Sequence, residues 1–362
     1  MSEIRKIAVI GEGKMGSSIF LYLNGFDFML TWLCSSEAEK EKAQKVFNKK
    51  TKFLFQSGAI TEAEFALKSE TTKITALIDD IKDCDLVIEA IWEDAGVKKT
   101  FFGLLDKVVN SDSIFTTNSS SILPSQLIPS ERRKDKFAGL HFFFPVPLRN
   151  VVELISCTST SLQTIEALDQ FLLKIKKKTF LQDEAHAFIL NKIFLDFQAG
   201  AYSLFLEGRL SYKEIDDLVK KYFFPIGVFE FFDHVGNDIM LSSIQNYVAN
   251  LNDKEFYVPL LSKLKELVAS GQLGIKTKSG FYNYPPDVSN TGNDFPEQEF
   301  EDYKHKATEQ LKGYYKQSVL SVIELKQCSR EELAEAIQDY MGMETDPFAM
   351  IFSWHYLNQF IV

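Results

Sequence analysis

Two side chains in this sequence have the types needed to move a proton to and from a bound molecule. His141 opens the aromatic run HFFFPVP, and Glu153 follows twelve residues later within the apolar stretch NVVELIS. A neutral imidazole accepts a proton near neutral pH, and a carboxylate on its second ring nitrogen fixes the tautomer and stabilises the imidazolium. The pair would therefore form a general base for a hydroxyl group.

The alternative for His141 is a structural role, which is the commoner one for a single histidine at the end of a strand. Glu153 is harder to explain in that way, because an acid among valine, leucine and isoleucine is destabilising unless it is paired or protonated. A separation of twelve residues does not place both side chains on one helix face. It fits two consecutive strands joined by a turn at Pro145 and Pro147.

A glycine-rich loop near the start of the chain indicates a phosphate-binding site. The stretch KIAVIGEGKMGSSIF places Gly11, Gly13 and Gly16 after an apolar strand and at the start of a helix. Gly11 permits a tight turn, Gly13 lets the backbone approach a pyrophosphate, and Gly16 allows close packing of helix on strand. The N–H groups and dipole of the helix would hold the phosphates. We therefore predict a dinucleotide cofactor in contact with these glycines and with Lys14 and Met15.

The acid that usually binds the adenosine ribose is missing from its expected position, about 20 residues beyond the glycines. Counting without gaps leads to Cys34, and an alternative alignment leads to Trp32. Neither side chain can chelate the two hydroxyl groups of a ribose. Glu37 is the nearest acid beyond them, although an exposed helix residue is the simpler interpretation of it. No arginine follows to bind a 2′-phosphate, so we predict NAD rather than NADP.

Apolar runs in the first half of the chain predict eight strands, which are KIAVIG, FMLTWLC, TKITAL, DLVIEAI, SIFTTN, KFAGLHFF, VVELIS and KKTFLQ. Several are nearly continuous in valine, isoleucine, leucine and phenylalanine, as is typical of strands buried on both faces of a parallel sheet. We therefore predict an α/β Rossmann-type, doubly wound domain over residues 1–183. Residues 35–70 are charged and helical in period, and we expect them to form an inserted helical hairpin.

Beyond residue 184 the strand patterns stop and helical periodicity continues, which predicts an all-α C-terminal domain over residues 184–286. Residues 285–300 are rich in proline, asparagine and aspartate and lack periodicity, as a linker does. An extra helical tail is predicted over residues 300–362.

The sequence of the tail weakly resembles part of the helical domain. Ser329 with Glu332 has the spacing of a helix-capping box, and so does Ser211 with Glu214 at the corresponding point of the earlier segment. We interpret the tail as a degenerate repeat of the helical domain. The alternative is that any two amphipathic helix pairs resemble each other.

The composition excludes several classes of protein. A formal net charge of −10 argues against broad binding to nucleic acid or anionic membranes, although a few lysines suffice to hold a phosphorylated ligand. There is no apolar run of about 18 residues and no signal-peptide pattern at the start, so we predict no membrane segment. The four cysteines are scattered without metal-ligand spacing, so we predict no disulfide, no metal site and a cytoplasmic location.

In their order and spacing, the motifs resemble those of the L-3-hydroxyacyl-CoA dehydrogenase family, which includes 3-hydroxybutyryl-CoA dehydrogenases. The similarity covers residues 4 to about 285 and rests on the stretches GEGKMG, EAIWED, TTNSSSI, HFFFPVPLRNVVELI, FILNK and GQLGIKTKSGFYNY. The resemblance implies a Rossmann-type domain followed by a helical domain. It also implies NAD-dependent interconversion of an L-3-hydroxyacyl-CoA and its 3-ketoacyl-CoA, with the acyl-CoA as substrate.

The resemblance assigns roles to four polar residues. His141 matches the family's general base, and Glu153 matches the carboxylate that orients it. Ser120, in TTNSSSI, and Asn191, in FILNK, match the residues that hold the reacting oxygen. Judged from the residues alone, Ser120 and Asn191 are also explained as helix N-caps, and Asn191 as a buried amide that links helices.

Further binding residues are predicted around the cofactor and the coenzyme A. Glu93 and Lys98 match family positions on the nicotinamide side, and we expect Asn118, at the end of SIFTTN, to contact the cofactor as well. Lys49 and Lys52 in the hairpin would meet the phosphates of coenzyme A. The alternative for these lysines is the solvated face of a charged helix.

The sequence departs from the family pattern mainly near the cofactor and in the helical domain. Phe144 replaces an asparagine, His186 and Ala187 replace a Pro-Gly pair, Lys192 replaces an arginine, and IGV at 226–228 replaces MGP. Two alternatives follow, namely a dehydrogenase of another 3-hydroxy acid and a non-catalytic acyl-CoA-binding paralogue with a decayed cofactor site. Members of the family typically form homodimers through their helical domains, whereas the tail could fill the partner's place and give a monomer.

Overall fold

The structure is a computed structural model that describes residues 3–249, 251, 254–285, 296–324 and 328–349. The chain divides between Ala187 and Phe188 into two compact units. Most of the predicted linker and the last part of the predicted tail, residues 350–362, lie outside the described residues.

The first unit is built on an eight-stranded sheet with the order β3-β2-β1-β4-β5-β6-β7-β8. The strands are β1 Lys6–Ile10, β2 Met29–Leu33, β3 Thr72–Thr75, β4 Leu86–Glu89, β5 Ile114–Thr117, β6 Phe137–Phe142, β7 Val151–Ser156 and β8 Lys178–Asp183. The first six strands are parallel, β7 pairs antiparallel with β6, and β8 runs parallel to β7. Each predicted apolar run forms one of these strands, and the doubly wound fold is confirmed.

Two apolar layers cover the sheet, one on each face, because successive side chains of a strand point in opposite directions. Val9 belongs to the same layer as Phe20 of the first helix, and Ile10 belongs to the opposite layer with Phe102. The helices that supply these layers include α1 Lys14–Leu23, α4 Ala95–Val108 and α5 Leu162–Lys174. This burial explains why the strands are apolar at consecutive positions.

The predicted helical hairpin is confirmed between β2 and β3. It consists of α2 Glu37–Gln56 and α3 Glu62–Thr71. Ser36 caps α2 by accepting a hydrogen bond from the backbone N–H of Glu39. Thr61 and Glu64 form a complete capping box at the start of α3, so local side-chain contacts fix where both helices begin.

The second unit is helical, as predicted. Its helices are α6 Ile189–Leu206, α7 Tyr212–Tyr222, α8 Val228–Val235, α9 Asn237–Ala249, α10 Val258–Ala269, α11 Glu297–Glu324 and α12 Arg330–Met341. Both predicted capping boxes are present, at the starts of α7 and α12. Across the described residues, no helix is both long enough and apolar enough to cross a membrane.

Helix α6 forms the centre of the second unit, and α11 packs along it. Close approach of the two helices depends on Gly200, because a Cβ atom there would lie 2.3 Å from the ring of Tyr314. Ser318 of α11 also donates a hydrogen bond to Asp196 of α6. The part of the predicted tail that the structure describes is therefore an integral part of this unit.

Candidate active site

The glycine loop and two of the polar residues predicted to form the site follow the carboxyl ends of neighbouring parallel strands. The glycine loop follows β1, Glu93 follows β4 and Ser120 follows β5. The strand order reverses between β1 and β4, because β1 continues toward β2 while β4 continues toward β5. In open α/β sheets the crevice at such a point is where a dinucleotide binds.

His141 and Glu153 are direct cross-strand partners in the antiparallel pair β6 and β7. His141 Nδ1 lies 2.6 Å from Glu153 Oε2, and the two residues are 6% and 0% exposed. An ionised carboxylate only accepts hydrogen bonds, so this contact favours the tautomer of a neutral imidazole with its proton on Nδ1 and its acceptor site on Nε2. The ring of Phe143 meets the imidazole edge-on at 4.5 Å between centroids. The two contacts fix the orientation of the imidazole ring.

Gln182 is a second partner of the carboxylate and was not identified from the sequence. Its Nε2 donates to Glu153 Oε1 over 2.9 Å, from β8 on the other side of β7, and Gln182 is 1% exposed. The second oxygen of Glu153 is thereby also bound, which a buried carboxylate requires. A single glutamine within a predicted strand does not indicate from the sequence that it contacts a buried carboxylate.

The serine loop after β5 is fastened by Glu93. Glu93 Oε1 accepts hydrogen bonds from the backbone N–H of Ser120 over 3.1 Å and from Ser121 Oγ over 3.0 Å, and also from Ser119 Oγ. Ser119, rather than Ser120, accepts from the backbone N–H groups of Ser121 and Ile122. The turn-capping role is therefore filled by Ser119, and Ser120 is held half-buried at the strand end through its backbone.

Lys98 joins two carboxylates beneath this loop. Its Nζ lies 2.6 Å from Glu89 Oε1 and 3.3 Å from Glu93 Oε2, and Lys98 is 1% exposed. Burial pushes the pKa of Glu93 upward, but Lys98 and the hydroxyl groups of Ser119 and Ser121 outweigh it and leave the pKa below its ordinary value. Glu93 is thus an anion that organises the loop. Glu89 was missed, although an acid at the end of an apolar strand is the same signal that singled out Glu153.

Asn118 connects the end of β5 to the strand that carries the histidine. Its Oδ1 accepts a hydrogen bond from the backbone N–H of Phe142 over 2.9 Å, and Asn118 is 8% exposed. The residue next to His141 is therefore fixed by a residue of the neighbouring strand. This contact gives Asn118 a role in alignment, while its predicted contact with a cofactor stays a prediction.

The glycine loop has the shape that a pyrophosphate requires. Gly11 has φ +105°, and a Cβ there would lie 2.5 Å from the carbonyl oxygen of Ala90. A Cβ on Gly16 would lie 2.1 Å from the oxygen of Gly11, whereas one on Gly13 would point into open space. No side chain of the described residues caps the N-terminus of α1. The backbone N–H groups there fit the phosphates of a dinucleotide such as NAD.

Trp32 and Cys34 occupy the end of β2 without replacing the missing acid. Trp32 Nε1 donates to the oxygen of Gly11 over 2.9 Å, and its ring stacks on Phe20 at 4.4 Å. Trp32 thus stabilises the glycine loop from the side of the core. Burial, with Glu12 and Glu39 nearby, raises the pKa of the Cys34 thiol to about 11, so it is neutral near pH 7.

Glu12 supplies a carboxylate at this position from within the glycine loop. It accepts a hydrogen bond from the backbone N–H of Ser35 over 3.2 Å, and another from Ser35 Oγ. Glu37, the acid considered from the sequence, forms an ion pair of 2.9 Å with Lys40 at the surface instead. Glu12 lies between Gly11 and Gly13, whereas the usual pattern places the ribose acid about 20 residues later, at the end of the second strand.

Phe144, which replaces an asparagine of the family pattern, lies beside the glycine loop. Its ring is 43% exposed, and Lys14 Nζ lies 4.2 Å from the ring centroid in a cation–π contact. Met15 is half-buried in the first turn of α1. Lys49 and Lys52 are exposed on α2, which is compatible with both interpretations given to them.

Asn191 belongs to the second unit and lies within the first turn of α6. The N-cap of α6 is Phe188, with φ 62°, so Asn191 is not the capping residue. Asn191 Oδ1 accepts a hydrogen bond from Tyr340 Oη of α12 over 3.1 Å. Its neighbour Lys192 forms an ion pair of 3.0 Å with Asp196.

Comparisons with known proteins agree with this architecture. Residues 6–184 match the model of the 3-hydroxyacyl-CoA dehydrogenase NAD-binding domain, and residues 188–284 match that of the 3-hydroxyacyl-CoA dehydrogenase C-terminal domain. A 3-hydroxybutyryl-CoA dehydrogenase of Clostridioides difficile is 33% identical, over 77% of this chain and 99% of its own length. The two matched family segments extend no further than residue 284, before the start of α11.

Solved structures show the same relationship. The (S)-3-hydroxybutyryl-CoA dehydrogenase of Ralstonia eutropha is 30% identical with a TM-score of 0.70, and the alignment covers 78% of this chain and 99% of that one. The dehydrogenase part of a multifunctional enzyme from Caenorhabditis elegans covers 94% of this chain and 79% of its own, at 22% identity and a TM-score of 0.56. The latter similarity concerns the fold alone, and its coverage extends into the tail.

Proposed function

Because the chain belongs to the 3-hydroxyacyl-CoA dehydrogenase family, we propose that it interconverts an L-3-hydroxyacyl-CoA and its 3-ketoacyl-CoA with His141 as the general base. The protein is an NAD-dependent oxidoreductase. The observation that carries the proposed mechanism is the buried contact of 2.6 Å between His141 and Glu153.

In the oxidation, His141 Nε2 takes the proton of the substrate hydroxyl, and the imidazole becomes an imidazolium. Glu153 positions the ring through Nδ1 and stabilises this positive charge, and Gln182 keeps the carboxylate in place. In the reverse direction the imidazolium returns the proton to the carbonyl oxygen. Proton transfer of this kind contributes roughly 10²- to 10⁴-fold to the rate.

Ser120 and Asn191 are proposed to hold the reacting oxygen by hydrogen bonds. A hydroxyl donor and an amide donor both suit an oxygen that gains negative charge as the proton leaves. Glu93 fixes the loop that carries Ser120, so the hydroxyl is presented from a preformed turn. This role is supported by the positions of both residues in the motifs TTNSSSI and FILNK.

Bound NAD supplies the acceptor for the hydride that leaves C3 of the substrate. Gly11, Gly13 and Gly16 with the start of α1 would hold its pyrophosphate. We also propose that Glu12 accepts hydrogen bonds from the adenosine ribose, since its carboxylate reaches the end of β2 through Ser35. A fixed anion there disfavours the 2′-phosphate of NADP.

The direct test is an assay of NADH oxidation with acetoacetyl-CoA, with free acetoacetate and a carrier-protein thioester as parallel substrates. We expect turnover of the coenzyme A thioester with the wild type and its loss in His141→Gln. Turnover of the free acid alone would favour a dehydrogenase of another 3-hydroxy acid. Wild-type turnover in His141→Gln would refute the assignment of the base.

We also propose that the protein is a monomer in solution, although homodimers are typical of the family. The described part of the tail packs on α6. The contacts between the helix pairs α6–α7 and α11–α12 are reciprocal, because α12 contacts α6 and α7 contacts α11. Such reciprocity is what a second copy of the helix pair α6–α7 would produce. Light scattering at micromolar concentration should give the mass of one chain, and a stable dimer would contradict the proposal.

A cytoplasmic location is proposed from the state of the cysteines. Cys34, Cys84, Cys157 and Cys328 are all free thiols. Free thiols are typical of reducing compartments. Fluorescence microscopy of a tagged chain tests the location, and retention in an organelle would contradict it.

A further inference from the structure

We propose that Tyr340 is a positioning residue of the dehydrogenase reaction, acting by orienting the amide of Asn191, an inference that rests on the proposed role of Asn191. Tyr340 Oη donates to Asn191 Oδ1 over 3.1 Å. The two residues are 149 positions apart in the sequence. Tyr340 also lies beyond residue 284, where the match to the family's C-terminal domain ends.

The chemistry of the contact depends on the two ends of the amide. An asparagine side chain accepts at its oxygen and donates at its nitrogen, and the two ends exchange when the group turns over. A donor placed against Oδ1 fixes which end faces it, and so directs the N–H groups to the other side. An oxygen that gains charge in the reaction needs those N–H groups. A hydrogen bond to Oδ1 also polarises the amide and strengthens its donors.

Both the ring and the hydroxyl group of Tyr340 contact α6. It meets Phe194 edge-on, with centroids 6.2 Å apart and an interplanar angle of 82°. Phe194 follows Asn191 by three positions, so both lie on one face of α6. The phenol therefore has two contacts on that face, one apolar and one polar, and its position does not depend on the hydroxyl alone.

The remainder of α12 is anchored in the second unit. Leu333, Ala336, Ile337 and Met341 form its buried face, each 8% exposed or less. The chain after α12 folds back on its start, where Arg330 pairs with Asp346 over 3.4 Å and lies 4.9 Å from the ring centroid of Phe348. A positioning residue must lie on a fixed element, because Tyr340 can hold the amide of Asn191 in one orientation only if Tyr340 itself is held in place.

The experiment compares Tyr340→Phe with Tyr303→Phe in the full chain. Tyr340→Phe keeps the ring and removes the hydroxyl group that donates to Asn191. Tyr303→Phe is the matched control, since Tyr303 also lies in the tail and donates to Glu207 of the same unit over 2.6 Å. We expect Tyr340→Phe to lower kcat with acetoacetyl-CoA by about 2- to 12-fold, the rate equivalent of one ordinary hydrogen bond. The dissociation constant of NADH should stay unchanged in both variants, and kcat should stay unchanged in Tyr303→Phe.

A double-mutant cycle with Asn191→Ala separates this inference from the proposed function. If Tyr340 acts through Asn191, Tyr340→Phe should cause no further loss of kcat when Asn191 is already alanine. A full additional loss there, or an equal loss in Tyr303→Phe, would overturn the positioning role. An unchanged kcat in Tyr340→Phe beside a reduced kcat in Asn191→Ala would overturn this inference alone. An unchanged kcat in Asn191→Ala would overturn the proposed role of Asn191 and the inference with it.

Discussion

His141 and Glu153 face each other directly across the only antiparallel pair described in the sheet, with 2.6 Å between Nδ1 and Oε2. The parallel strands bring ligand-binding loops to one edge, whereas the turn back into β7 returns the chain beside the histidine. A residue of the same segment can therefore supply the carboxylate. The separation of twelve residues between His141 and Glu153 comprises that turn and the two strand ends that it joins.

The first prediction concerns this pair. His141→Gln and Glu153→Gln should each lower kcat for acetoacetyl-CoA with NADH by about 10²- to 10⁴-fold, because the first removes the base and the second removes the charge that stabilises the imidazolium. Circular dichroism and the melting temperature should show that the variants fold. His234→Gln is the matched control, since His234 is exposed and its Nδ1 lies against the backbone carbonyl of Glu230 within the helical unit.

For His234→Gln we expect kcat within about twofold of the wild type, as for most exposed positions. Near wild-type kcat in either His141→Gln or Glu153→Gln would show that the pair is structural.

The second prediction concerns Gln182. Gln182→Leu removes the donor to Glu153 Oε1, and a buried acceptor that loses its partner costs about 1–3 kcal/mol in the free energy of unfolding. The loss of kcat should be smaller than in Glu153→Gln, since the histidine keeps its carboxylate. Urea unfolding and steady-state kinetics measure the two effects.

Gln198→Leu is the matched control, because it also replaces the amide of a buried glutamine by an apolar side chain. Gln198 is 2% exposed, and its Nε2 has no hydrogen-bond partner among the described residues. Its replacement should leave stability unchanged or raise it. If both variants lost equal stability, the loss would reflect side-chain shape rather than the hydrogen bond to Glu153.

Much of this architecture could be predicted from the sequence, for definite physical reasons. Strands buried on both faces are nearly continuous in apolar residues, so all eight were visible. Glu153 was visible because an acid is unfavourable in such a stretch without a partner. The capping boxes at Ser211 and Ser329 depend on residues three positions apart, and such local contacts are read directly from the sequence.

The contacts that were missed depend on the path of the chain. Glu12 reaches Ser35 only because the loop at Gly11 turns toward the end of β2. Gln182 meets Glu153 because β8 lies beside β7, and a strand sequence does not reveal its neighbour. Tyr340 reaches Asn191 through the packing of α12 on α6, over a separation that no local pattern records.

The third prediction concerns pH. The pKa of Glu93 is lower in the folded protein than its ordinary value of 4.5. The unfolded chain therefore binds more protons in this range, so stability rises with pH. The contribution of Glu93 is present above pH 4.5 and is lost as the pH falls through the lowered pKa. Glu93→Gln removes this titration.

Melting temperatures between about pH 7 and pH 3.5 provide the measurement. The wild type should be more stable than Glu93→Gln at neutral pH, and the difference should shrink below pH 4.5. A difference that stayed constant down to pH 3.5 would show that Glu93 does not stabilise the serine loop as an anion.

The fourth prediction concerns the choice of cofactor and the acid at Glu12. Glu12→Gln keeps the size of the side chain and an oxygen that can accept from Ser35, but it removes the negative charge. Without that charge the 2′-phosphate of NADP meets less repulsion, while the ribose of NAD loses a strong acceptor. The ratio of kcat/KM for NADH to kcat/KM for NADPH should therefore fall by about tenfold or more. Glu37→Gln is the matched control, because Glu37 pairs with Lys40 at the surface and should leave the ratio unchanged. A change in Glu37→Gln without one in Glu12→Gln would place the ribose acid at Glu37 on α2, the nearest acid beyond the expected position at the end of β2.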